Sequence, residues 1–211
     1  MTDERHIDRM EGCSSLGKTV LSAGAVVLGL FWLLNHHSSF PSDSDILRLS
    51  VKSVIADLRA AILSYGTDFH RFPIQDNGKS TEDVVTRSRG ILLQVLQGEN
   101  ISMLNPREVR YAEFPTAQEH KRGLWQDGEE WVLGAPWGEP FYIILDINKD
   151  NQVPNPEFGA NTSDPKQAKF AQKYPPPQRL PMPMAIYSSG PDRDPDTWHD
   201  NICSWLRIER H

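Results

Sequence analysis

Asp192, Asp194, Asp196 and Asp200 crowd into a nine-residue stretch of "SSGPDRDPDTWHDN". Carboxylates this close repel one another, and a divalent cation between them relieves the repulsion. Solvated, salt-screened carboxylates are the alternative, and charge alone leaves the two level. A second stretch, "DINKDNQVPNPE", puts Asp146, Asn148, Asp150 and Glu157 at positions 1, 3, 5 and 12 of an EF-hand-like calcium loop. Asn151 stands where glycine is usual there, and Pro154 and Pro156 block the exiting helix that delivers the last ligand. A hairpin turn is the favoured reading of that stretch. A third, "GCSSLGKT" at residues 12–19, matches the phosphate-loop pattern G-x-x-x-x-G-K-[ST]. No nucleophile elbow, zinc-protease helix or paired-cysteine motif occurs, and no enzyme is expected. His36 and His37 read as an interfacial pair, and His70 and His199 as lone solvated or structural residues.

What surrounds Lys18 decides against the phosphate loop. A working loop needs a buried strand before it and a soluble helix after it. Here "TDERHIDRME" precedes it and is too charged for a core strand. Residues 19–34, "TVLSAGAVVLGLFWLL", follow without a charge and are apolar all round. Sixteen residues rise about 24 Å, short of a roughly 30 Å hydrocarbon core, so Leu16 and Gly17 join the span while Lys18 snorkels. A cleaved secretory signal is the alternative, but no small-x-small site follows. Arg5, Arg9 and Lys18 before the span, against Arg48 and Lys52 after it, set the N-terminus in the cytoplasm. The apolar "FYIILD", ending in Asp146, would lie across the membrane from Lys18. Cys13 and Cys203 would be separated in the same way and could not pair.

The elements that must position the two acidic loops follow from composition and periodicity. The 211 residues are 38% hydrophobic and 24% charged, with net charge −6. That suits a folded domain and offers no basic surface for nucleic acid. A connector at 35–44, broken by Pro41, leads to Leu47, Val51, Val54, Ile55, Leu58, Ile62 and Tyr65. Their steps of three and four predict an amphipathic helix over 45–65, capped at Gly66 and stopped by Pro73. A shorter helix is expected over 88–96, and strands at "PFYIILDI" and "MAIYSSG". Residues 155–184, holding Pro175, Pro176, Pro177, Pro181 and Pro183, read as an extended surface excursion. Ile202, Trp205 and Ile208 would dock the tail. The layout is α+β, a small antiparallel sheet on a long helix.

The segments "YGTDFHRFP", "LQGEN", "NPREVRYAEF", "APWGEPFYIILDINKDNQV", "AIYSSGPDRD" and "DNICSW" resemble, in order, the major pseudopilins of type II secretion systems and related prepilin-like proteins. The resemblance covers residues 45–206. It implies a pilin-like fold and a single-pass inner-membrane protein. Its parts would be a cytoplasmic leader at 1–18, a span at 19–34 and a periplasmic domain at 45–211. It implies partners among other pseudopilin subunits and the secretion apparatus, with no nucleotide. It also implies calcium before the final "SW": Asp192 stands at the family's GxD aspartate with the Ser189 carbonyl beside it. Asp200 and Asn201 stand at the acidic pair before the isoleucine. Asp194 and Asp196 fall where the family has glycine-rich spacing, and the resemblance gives them no role. The family cleaves its leader after a glycine, here Gly17. Lys18 replaces the usual aromatic, and Ser22 the glutamate that neutralises a neighbour's amine. Both departures argue against ordinary processing. They keep a second reading open, a membrane-anchored periplasmic binding module that does not polymerise.

Overall fold

A computed structural model describes residues 42–75, 81–160, 165–173 and 175–205. The leader with Gly17, the 19–34 span, His36, His37 and Ile208 lie outside the described residues. Among the described residues no helix is long and apolar enough to cross a membrane. Asp43–His211 forms a compact unit of its own.

Helix α1, Asp43–Phe69, opens with Asp43 and Asp45 in its first turn, where carboxylates suit the positive end of the helix dipole. Val51, Ile55, Leu58, Ile62 and Tyr65 are buried along one face, as their spacing predicts. The helix does not stop at Gly66. It runs one more turn, to His70 in the left-handed region (φ 55°), whose N–H donates to the Gly66 carbonyl at 2.8 Å. Contacts made only by that turn explain the extension. Phe69 packs on Tyr65 at 4.7 Å, and the Tyr111 hydroxyl donates to Asp68 at 2.7 Å.

The sheet against α1 is four-stranded and antiparallel, in the order β1-β4-β7-β8. Its strands are β1 (Val84–Arg87), β4 (Tyr142–Leu145), β7 (Met184–Ser188) and β8 (Ile202–Cys203). Sequence reading expected β4 and β7 but passed over β1, taking "DVVTRSRG" as the approach to a helix at 88. The β-branched Val84, Val85 and Thr86 favour a strand, and helix α2 is only Ile91–Leu96. Ser88, expected inside that helix, is a buried joint. Its hydroxyl donates to the Leu133 carbonyl (2.6 Å) and accepts from the Phe141 N–H (2.7 Å). It thereby ties the main sheet to the hairpin of β2 (Gly123–Asp127) and β3 (Glu130–Gly134).

Both faces of the main sheet are covered, which is why its central strands read as unbroken apolar runs. Ile143, Leu145 and Ile186 point to the α1 side. Ile144, Ala185 and Tyr187 point the other way, into a second cluster with Val153, Leu180 and Trp198. That second cluster corrects the picture of residues 155–184 as a purely extended excursion. Helix α3 spans Pro165–Lys173, with proline in its first turn, where a missing N–H costs nothing. Strand β6 (Arg179–Leu180) pairs with β5 (Val153–Pro154), and burial of Val153 and Leu180 draws the segment onto the sheet.

Candidate metal centre

Strands β7 and β8 are neighbours, paired at Ser188 and Ile202, so residues 189–201 form one loop closed at its base. Trp198 anchors the loop. It is 1% exposed, with its ring centroid 5.2 Å from Tyr187 and 6.3 Å from Trp205. Gly190 is required at the loop's entry. Its φ is 70°, and a Cβ there would stand 2.6 Å from the Asp200 carboxylate and 2.9 Å from the Asp200 carbonyl. The chain passes Asp200 too closely for any side chain.

Inside the loop, side chains bond to backbone in sequence. The Asp192 carboxylate accepts from the Asp194 N–H at 2.9 Å, and the Asp194 carboxylate from the Asp196 N–H at 3.0 Å. The Asp192 N–H reaches the Asp200 Oδ2 at 3.3 Å, and the Asn201 Nδ2 donates to the Pro195 carbonyl at 2.9 Å. These bonds shape the loop but leave acceptors over. Ser189 Oγ, Asp200 Oδ1 and Asn201 Oδ1 are buried without a hydrogen-bond partner, and Ser189 and Asn201 are almost wholly buried. Buried acceptors without a donor are costly, and a carboxylate oxygen such as Asp200 Oδ1 the more so unless a cation completes it. One ligand atom each of Asp192, His199 and Asp200 lies within 4.8 Å of the others. Two carboxylates held together, one of them with a buried oxygen that no donor answers, suit a divalent cation.

Of the four residues that the resemblance gives as ligands, Ser189, Asp192, Asp200 and Asn201, the loop brings Asp192 and Asp200 together, with His199. Asp194 and Asp196 are not in the three-residue group; Asp194 is engaged in the turn. His199, read as a lone residue, is the one that sequence reasoning missed. Its place directly before Asp200 in an aspartate-rich loop was the available signal. The second acidic stretch is arranged differently. The Asp146 carboxylate accepts from the N–H groups of Asp150 (3.2 Å) and Asn151 (2.7 Å). Asp150 pairs with Arg179 at 3.1 Å, and Arg179 also holds Asp83 at 2.9 Å. These carboxylates already have N–H donors and a guanidinium, as a turn stapled to the sheet requires.

Burial pushes the Asp200 carboxyl above the usual aspartate range, the N–H of Asp192 opposes this, and the Asp192 charge adds to it. A raised folded pKa means that Asp200 favours the folded state below its unfolded value, about 3.9, and ceases to as pH rises through the folded value. In chelator, Asp200→Asn should therefore gain stability relative to the parent chain as pH rises from 4 to 7. Thermal unfolding of both across that range checks it; a difference independent of pH would contradict the buried, uncompensated charge.

No family model, no curated protein and no solved structure matches the chain.

Proposed function

We propose that this chain is a pseudopilin-like structural subunit of a type II secretion or type IV pilus-like apparatus. It would be anchored by residues 19–34 and carry a pilin-like periplasmic domain steadied by calcium at the 189–201 loop. The observation that carries this reading is a second seam on α1. Ile46, Leu49, Ser53, Ala56, Ala60, Leu63 and Thr67 recur at alternating steps of three and four, and all are exposed. At about 100° per residue their stripe lies opposite the face that packs on the sheet. Leu49 is 62% and Ile46 50% exposed, an uneconomical arrangement for a helix whose outer face meets only water. Small residues at the centre of the seam admit close approach of another helix. Arg48, Lys52 and Arg59, with Asp45 among them, border it on one side, and Asp43 and Asp57 on the other, so one border is mainly basic and the other acidic. Borders of opposite sign let one copy's basic edge meet the next copy's acidic edge.

The resemblance also implied association through residues 19–34 and the Asp45–Tyr65 face, but the domain's own core occupies the Val51, Ile55, Leu58, Ile62 and Tyr65 side of that helix. Self-association is assigned instead to the outer seam. Full chain in detergent micelles, carrying Leu49→Asp and Leu63→Asp together, should fold normally because both sites face solvent. Burying each leucine is worth about 1.5–3 kcal/mol, so the pair should weaken self-association by tenfold or more. Crosslinking and sedimentation read this directly. Unchanged association in the double variant would remove the seam from the interface. A parent chain that stays monomeric would favour the anchored binding module that does not polymerise.

A further inference from the structure

Calcium chemistry leaves His199 without a reason, because calcium takes oxygen ligands. The imidazole nonetheless stands at the centre of the loop's charge. Its Nδ1 is 3.9 Å from Asp200 Oδ1, and it shares the 4.8 Å cluster with Asp192 and Asp200. The backbone beside it is held by the buried Trp198, and its own side chain is about half exposed at 54%. Independently of the carboxylates, Asn201 Oδ1 is an unpartnered acceptor on a residue 2% exposed. The Nδ2 of the same amide is committed to the loop's Pro195 carbonyl. One imidazole nitrogen and two carboxylates match the ligand types of zinc and leave a coordination position for water. They also fit its first-row neighbours, which accept nitrogen and oxygen together.

We infer that the 189–201 loop binds a zinc-class divalent metal through His199, Asp192 and Asp200, so that the same centre answers both to a hard cation and to an imidazole-accepting one. The inference rests on the cation-held loop proposed above. Asp192 and Asp200 serve either ion, whereas His199 serves only the second. The loop's response to the two metals is therefore separable at a single side chain.

The test uses the full chain in detergent micelles, with zinc chloride or calcium chloride as probe, read by equilibrium dialysis and thermal unfolding. His199→Gln and Asp192→Asn alter exposed side chains and should fold as the parent does. Zinc should bind the parent and raise its melting temperature. His199→Gln should lose affinity for zinc by about tenfold or more, since even outer-shell changes cost that much, and keep its calcium response. Asp192→Asn should weaken both. Zinc affinity unchanged in both variants would mean that other histidines hold the metal, and would overturn the inference. Calcium binding with no zinc binding would overturn it too and leave the calcium-held loop standing. Failure of both ions to bind would overturn the loop itself as a metal centre.

Discussion

Trp198→Ala should lower the unfolding free energy by about 3–5 kcal/mol, the range for deleting a buried large aromatic. Trp198 is 1% exposed and packs on Tyr187 and Trp205, and Tyr187 stacks in turn on Tyr142 at 4.7 Å. Small domains hold about 5–15 kcal/mol in all, so the variant should melt many degrees lower. The loss should reach the proposed metal centre as well. Without its anchor, the 189–201 loop must order itself when a cation binds, and the cation's contribution to the melting temperature should shrink. Trp198→Phe keeps a ring on Tyr187 and should recover part of both effects. A cost below about 1 kcal/mol for Trp198→Ala would mean that the loop is not held from this side.

Ser88→Ala is the second large effect, expected at about 2–5 kcal/mol from the loss of two hydrogen bonds. The alanine fits the space but leaves the Leu133 carbonyl and the Phe141 N–H without the Ser88 hydroxyl, at a site with no solvent exposure. A buried polar group left unpaired costs about 1–3 kcal/mol, far more than an exposed serine would. Backbone bonds through the same residue remain, Ser88 N–H to Phe141 and Leu133 N–H to Ser88, so the fold should survive with a weakened joint. Chemical denaturation of the variant gives the number. Exchange protection at the Phe141 amide tells whether the joint or the whole domain has loosened. A full-strength Phe141 amide with no loss of stability would show that another group replaces the hydroxyl.

Most of what positions the candidate centre was legible locally. The apolar steps of α1, the runs of β4 and β7, and the glycine and prolines that open the loop are near-neighbour patterns. Burial on one face or both writes such patterns into the chain. What was misread depended on partners far along the chain. Gly66 looks like a helix stop until Tyr111, more than forty residues away, bonds Asp68 and makes another turn worthwhile. "DVVTRSRG" looks like a lead-in to a helix until β4 supplies the strand that pairs with it. The prolines after 174 look like a loose excursion until β5 draws Leu180 inward.

The functional reading divides in the same way. The sequence by itself determined the aspartate-rich loop with its four aspartates and the apolar face of α1, because these need only residue types and spacing. That Ile46, Leu49 and Leu63 form a second stripe left exposed on the opposite side was decided by packing, since only packing shows which apolar residues of a helix stay uncovered. Likewise only the tertiary structure brought His199 to Asp192 and Asp200 and left Asn201 with a buried, unanswered acceptor. A loop's path is set by where its ends and its anchoring Trp198 are held, and those lie on strands and aromatic neighbours outside the loop itself.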